Sequence, residues 1–313
     1  MAFVHLHGHS TFSFLEAIGK PNKIISRAKE LGMDAIALTD YNGMYGCIKL
    51  YQTAKEENIK PIIGVELGFV LDHNSPILAN QIGNIVLISK SKAGYANLME
   101  IVSFANKEGV TGKAKIDIPF LQEHKEGIIA IIGGKQSRIG KMILIDEKEE
   151  KITEILNMLQ ETIGKDNLFL EITAQDEHLL PEIKKINTTL LAISHKYNIK
   201  CIVDNNYHYI TSTDKEAREI ALAIKDGKKI YDEDRRKPLG NFSIMSEEEI
   251  RSICSKNGYS PEQIDERMNT NVGIASEIVT DIALNQTLFP NYASPEDIIE
   301  LYEKNKGELV VEG

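Results

Sequence analysis

Short aliphatic and β-branched runs alternate with amphipathic stretches along residues 1–210, and each change of period marks a new element. The runs Phe3–Leu6, Ala35–Leu38, Pro61–Val70, Asn84–Ser89, Gly127–Ile132, Asn167–Ile172 and Cys201–Val203 predict strands. Between them, apolar positions recurring at helical spacing predict helices over Lys20–Leu31, Met44–Glu57, Tyr95–Asn106, Lys148–Ile163 and Leu180–Tyr197. Buried strands separated by helices of this length are the mark of parallel βα units. With no long break between them, the units predict an α/β fold that closes as a barrel. In such a barrel the chemistry sits at the C-terminal ends of the strands.

Past Tyr209 the strand signal stops. Helices are predicted over Asp214–Lys225, Ser246–Ser255 and Pro261–Ile278, with Ser246 as N-cap and Glu249 at capping-box spacing. From Phe289 the chain reads as a loop and one short helix. Three regions follow from this: a barrel over 1–210, a small helical segment over 211–285 that closes it, and a truncated lead-in to a further domain over 286–313.

Charge sharpens that division. The chain of 313 residues carries a formal net charge of −10. Residues 211–313 hold 13 Lys and Arg against 21 Asp and Glu, so most of the excess lies in the helical third. That balance opposes wrapping nucleic acid by charge alone, which needs a surplus of Lys and Arg. The three cysteines are too few and too scattered for a disulfide framework or a thiolate zinc site. No apolar run reaches the roughly 18 residues of a membrane span, and the N-terminus lacks the pattern of a signal peptide. No membrane partner is expected, and the cytoplasm is the expected compartment.

The candidate chemistry collects at the predicted strand ends. His5, His7 and His9 alternate in VHLHGHS, so a strand would place all three on one face. Imidazoles clustered in this way suit zinc, manganese or iron, with His7 and His9 as the metal ligands of choice. Glu16 follows shortly after, where it could close over the same strand end. Asp40 ends the second strand, where its ordinary role would be a helix cap, and Glu66 lies in the third. His208 follows the last strand, in DNNYHY. No phosphate loop, nucleophile elbow or H-E-x-x-H competes with this set.

These residues sit within longer blocks, HLHGHSTFSFLEA, ALTDYNGMYGCIKLYQTAKEENIKPIIGVE, GYANLMEIVS and DNNYHYITSTDKEAREIALAIKDGKK. In order, from residue 3 to about residue 290, they resemble the polymerase and histidinol phosphatase (PHP) domain that opens the alpha subunit of bacterial replicative DNA polymerase III. The resemblance implies a distorted seven-stranded (β/α) barrel of PHP type and a site for two or three metal ions able to cleave phosphoesters. It assigns His7 and His9 to the opening H-x-H pair, Glu16 to a position where Asp is usual, Glu66 to the Gly-x-Glu carboxylate, and His208 to the last histidine. Three positions depart from the pattern: Tyr41 stands for a His, Asn84 for a His and Asn206 for an Asp. Gly134 or a neighbour lies near a further ligand position. Lost donors and lost charge predict a degenerate site with at most one zinc or manganese ion rather than a full trinuclear cluster.

The resemblance implies a module of a DNA-directed DNA polymerase that lacks the polymerase carboxylates itself. Its expected role is structural and docking, with weak or absent phosphoesterase activity. An active metal-dependent phosphoesterase, a 3′–5′ exonuclease or pyrophosphatase, is the alternative. The implied partners are the rest of the polymerase chain, primer–template DNA, a separate proofreading exonuclease subunit and other replisome subunits.

Overall fold

The computed structural model describes residues 3–73, 81–107, 114–279, 281–284 and 296–305. Its strands are β1 (Ala35–Leu38), β2 (Lys60–Phe69), β3 (Gly83–Ser89), β4 (Lys115–Ile116), β5 (Ile128–Gly133), β6 (Leu168–Thr173) and β7 (Cys201–Asp204). The helices are α1 (Pro21–Glu30), α2 (Cys47–Glu56), α3 (Lys92–Lys107), α4 (Ile118–Glu123), α5 (Arg138–Leu144), α6 (Glu149–Ile163), α7 (Pro181–Tyr197), α8 (Lys215–Lys225), α9 (Glu247–Lys256), α10 (Pro261–Glu277) and α11 (Glu296–Asn305). Residues through Asp281 form one compact unit; α11 belongs to a second, Ile282–Gly313. No helix among the described residues is long and apolar enough to cross a membrane.

The seven strands form one curled sheet in the order β1-β2-β3-β5-β6-β7, with β4 paired to the end of β2. Apolar residues cover both faces, which is why the strands read as unbroken hydrophobic runs. One set packs inside the curl, including Ala35, Ala37, Ile62, Val86, Ile88, Ile129, Ile131, Phe169 and Ile202. The alternate positions, such as Leu87, Ala130 and Leu170, pack outward against the helices.

Two expectations are corrected. First, β3 is not a parallel unit: it runs antiparallel to both β2 and β5. Its first interior residue, Asn84, therefore lies beside the far end of β2, opposite Gly68. Second, Phe3–Leu6 is not a ladder strand. The Asp204 carboxylate takes the Leu6 N–H at 2.6 Å and the His7 N–H at 3.2 Å, in place of a neighbouring strand's carbonyls. The segment nonetheless bridges the sheet's two edges. Ala37 N donates to His5 O, Thr39 N to Gly8 O, and His9 N to Tyr207 O. This seam closes the curl into a distorted, barrel-like (β/α) fold.

The helical segment belongs to the same compact unit. Ile274, Ala275 and Ile278 enter the inner cluster, and Lys60 at the start of β2 donates to Ala275 O. The predicted capping box of Ser246 and Glu249 is present on α9. Asn271, fully buried on α10, donates to Val4 O and Val203 O and accepts from Val203 N. Asn271→Ala is expected to leave three buried backbone groups unpaired and to cost about 3 kcal/mol, read as a lower urea midpoint.

Candidate metal centre

Along the interior faces the apolar rows end in polar residues at one rim: Ile62–Gly64–Glu66 on β2, Phe169–Glu171 on β6, Ile202–Asp204 on β7. The closing seam delivers its histidines to this rim. His7 lies between two carboxylates, with Nε2 at 2.7 Å from Glu66 Oε2 and Nδ1 at 2.6 Å from Glu171 Oε2. The His9 ring is 5.4 Å from that of His7, centroid to centroid. His5 does not join them. Its ring is buried against Asp204 (Nδ1–Oδ1 2.9 Å) and Met245 O (3.0 Å), where it ties the seam to β7 and to the chain before α9.

Asp40 is not a helix cap; Gly46 precedes α2 with no side-chain bond. The Asp40 carboxylate accepts from Ser10 N, Ser10 Oγ and Ser13 Oγ, each at 2.7 Å. Ser13 Oγ, its proton spent on Asp40, accepts from Tyr41 N and from His9 Nδ1 at 3.1 Å. That relay assigns the proton of His9 to Nδ1. His9 Nε2 then carries a lone pair. It is buried without a hydrogen-bond partner and sits 3.1 Å from Glu66 Oε2.

The positions that depart from the PHP pattern are filled by groups that satisfy their neighbours. Asn84 Nδ2 donates to Glu66 Oε1 at 2.6 Å. The Tyr41 ring stacks on His9 at 3.9 Å, and its hydroxyl lies 3.3 Å from His208 Nε2. Asn206, in a left-handed conformation that Asn tolerates, accepts the His208 Nδ1 proton on its carbonyl at 2.8 Å. Glu16 stands apart from the histidines. Its carboxylate accepts from Arg236 Nη1 at 3.1 and 3.2 Å and pairs with Lys225 Nζ at 2.8 Å.

Burial and charge divide the titrating groups. For His7, burial opposes the imidazolium, but the charges of Glu171 and Glu66 outweigh it and hold the pKa well above the usual histidine value. Burial likewise works against the Glu66 carboxylate, and the charge and hydrogen bond of His7 reverse this, so it stays ionised far into acid. Glu171 is pushed up by burial. Burial lowers His9, and burial with the Arg218 charge lowers His208 strongly, so both are neutral donors at neutral pH. The Tyr41 phenol is kept protonated by burial and by the Glu66 charge.

The donor set fits one cation. Donor atoms of His7, His9 and Glu66 lie within 4.8 Å of one another, all buried. The His9 lone pair facing a carboxylate oxygen is a repulsive contact that a cation would turn attractive. A second such group, Asp72, His73 and Asp117, is already committed: Asp117 caps α4 with one oxygen and takes the His73 N–H groups with the other. The main site opens into a cavity of about 650 Å³ that Glu16, Tyr41, Asn84, Glu171, Asn206 and His208 also line.

Glu171 is the participant that sequence reasoning missed. Its one signal is a lone carboxylate inside the wholly buried strand LFLEIT. Gly134 sits at φ +68°, a backbone conformation that favours glycine, and a Cβ there would meet Thr173 Oγ1 and Glu171 Oε1 only at ordinary contact distance.

Comparison with known proteins identifies the family. The chain is 30% identical over 302 residues to DNA polymerase III subunit alpha of Treponema pallidum, 31% over 310 to that of Thermus aquaticus, and 32% over 312 to that of Borreliella burgdorferi. These alignments cover 95–96% of this chain but only 24–26% of the relatives, so it spans about a quarter of their length. A solved two-domain protein from Bacteroides vulgatus containing a predicted PHP-like metal-dependent phosphoesterase overlays loosely. Its TM-score is 0.42 at 14% identity, over 82% of this chain and 63% of that one. The PHP domain pattern itself matches residues 5–175, from the first histidine of the seam past the end of β6. With more than half of its length matched, the chain belongs to the PHP domain family.

Proposed function

We propose that this chain is the PHP module of a replicative DNA polymerase alpha subunit, acting in the cytoplasm as a structural and docking domain around a reduced metal site for one ion. The orphaned His9 Nε2, facing Glu66 Oε2 at 3.1 Å, carries the metal assignment. His7, His9 and Glu66 would hold a zinc- or manganese-type ion, and such an ion would supply Lewis-acid polarisation of a phosphoryl oxygen. What supports a reduced site is the use already made of the other donors. Tyr41 takes His208 Nε2, Asn84 takes Glu66 Oε1, and Arg236 with Lys225 takes Glu16. The rest of the polymerase chain, primer–template DNA, a proofreading exonuclease subunit and other replisome subunits are the partners this role implies.

The test is calorimetric titration with Mn²⁺ or Zn²⁺. One ion per chain is expected in the wild type and none in His9→Ala; two or more ions per chain would overturn the reduced-site reading. Because His7 is protonated in the ion-free site, an entering ion must expel a proton. About one proton released per ion, and an affinity that rises about tenfold per pH unit near neutrality, are expected. Titration in buffers of different ionisation enthalpy reads the proton directly.

A metal-dependent phosphoesterase acting on 3′ ends or pyrophosphate is the second reading. The specific observation favouring it is the cavity, where Arg218, Arg236 and Lys237 line the same space of about 650 Å³ as His7 and His208. It predicts a manganese-dependent release of terminal nucleotides that His9→Ala abolishes. Equal residual rates in the two proteins would refute it.

A further inference from the structure

We propose that Arg236 is a latch that withholds the Glu16 carboxylate from the ion site, so that opening the latch tightens ion binding. The inference rests on the single-ion reading above and concerns a residue that reading leaves unused.

The main chain around Glu16 is fixed beside the site. Arg218 Nε donates to Glu16 O at 2.9 Å, Glu16 N donates to Ser13 O, and Ile18 N donates to His208 O. Only the side chain is free to choose a partner. It lines the same cavity as His7, Glu66 and His208, and its charge is felt at Tyr41. The partner it has chosen is Arg236, with Lys225 beside it.

Arg236 is itself anchored. The other edge of its guanidinium makes a two-point contact with Asp226, Nε to Oδ2 at 2.5 Å and Nη2 to Oδ1 at 2.8 Å. Such a planar fork sets orientation as well as attraction. The segment 226–242 that carries both partners also supplies Lys237, Pro238, Leu239 and Phe242 to the cavity wall. Phe242 presents its ring to the edge of His208 at 5.7 Å and lies under the Arg218 guanidinium at 4.7 Å. The strap is therefore seated against the site, and its Arg236 holds the Glu16 carboxylate, which bonds to no group of the histidine cluster; Glu182, also in the lining, pairs with Lys135 instead. Freed, Glu16 would add a second carboxylate to a set that has one, and cation affinity rises with ligand charge.

The experiment compares Mn²⁺ binding by calorimetry in the full chain and four variants. Arg236→Ala is expected to lower the dissociation constant about tenfold with the stoichiometry still one. Lys237→Ala takes the same charge from the same cavity wall without touching the latch, and is expected to change it only about twofold, as a screened charge does. In the Glu16→Gln background the gain from Arg236→Ala is expected to shrink to that twofold level. An Arg236→Ala affinity no different from that of Lys237→Ala overturns the latch, as does a gain that persists in the Glu16→Gln background. One ion in the wild type with no change in Arg236→Ala sinks the latch alone; no ion in any protein sinks the metal reading with it.

Discussion

Gly8→Ala is expected to lower the unfolding free energy by about 3 kcal/mol or more, the range of a severe overpacking change. A Cβ at position 8 would fall inside the ring of Tyr207. Tyr207 cannot give way cheaply. It is fully buried, its hydroxyl donates to Ala37 O at 2.5 Å, and the His5 ring meets it edge-on at 5.6 Å. Gly8 in turn is pinned by bonds from Thr39 N and to Thr39 Oγ1. The clash therefore falls on the seam that joins the two edges of the sheet. Urea unfolding measures the effect, with Gly273→Ala as the contrast. Gly273 lies in α10 with open space where a Cβ would go, so that change is expected to be stabilising by about 0.5–1 kcal/mol. A loss of less than 1 kcal/mol in Gly8→Ala would mean that the seam yields and does not hold the fold closed.

The seam also shows where the sequence is legible and where it is not. Strands buried on both faces write unbroken apolar runs, so β1, β2, β3, β5, β6 and β7 can be located within a residue or two. Strand direction is not written in the same way. The run of β3 has the composition of a parallel strand, and only its pairing with β2 and β5 turns it round. That reversal is what carries Asn84 to Glu66. Alternation in VHLHGHS brings His7 and His9 together, as the structure places them, with ring centroids 5.4 Å apart. It misplaces His5, whose ring is taken by Asp204 and by Met245 O and does not join the other two. The short elements β4, α4 and α5 lack the length for a periodic signal to rise above chance. Glu171 is hidden for the opposite reason: one carboxylate in a six-residue apolar strand barely disturbs the pattern. Its role appears only when the curl of the sheet sets it against a histidine 164 positions away.

Glu66→Gln is expected to have the largest effect at the site, because one carboxylate serves two donors and also faces the His9 lone pair. Asn84 Nδ2 and His7 Nε2 bond to it, and His9 Nε2 lies against it. A glutamine keeps the volume, offers one acceptor oxygen, and turns its N–H₂ toward either Asn84 Nδ2 or the protonated His7 Nε2, each of which needs an acceptor. A loss of about 3 kcal/mol in the metal-free protein is expected, the cost of removing one member of a buried ion pair. Ion affinity is expected to fall by about 10- to 100-fold, since an anionic ligand is gone. The pH dependence supplies a readout that a merely structural role would not move. The raised His7 pKa contributes stability that is fully present below the unfolded histidine value of about 6.5 and is lost as pH rises toward the folded value. His9 and His208, both lowered, act in the opposite sense and cost stability as pH falls below that value. The metal-free wild type is therefore expected to be most stable near pH 6.5, declining on the alkaline side through His7. In Glu66→Gln one of the two carboxylates holding the His7 proton is neutral, so the alkaline decline is expected to become shallower and to end at lower pH. Urea midpoints measured across pH 5–9 decide it. An alkaline limb of unchanged slope and extent would show that Glu171 alone holds that proton and that Glu66 is not the hub of the site.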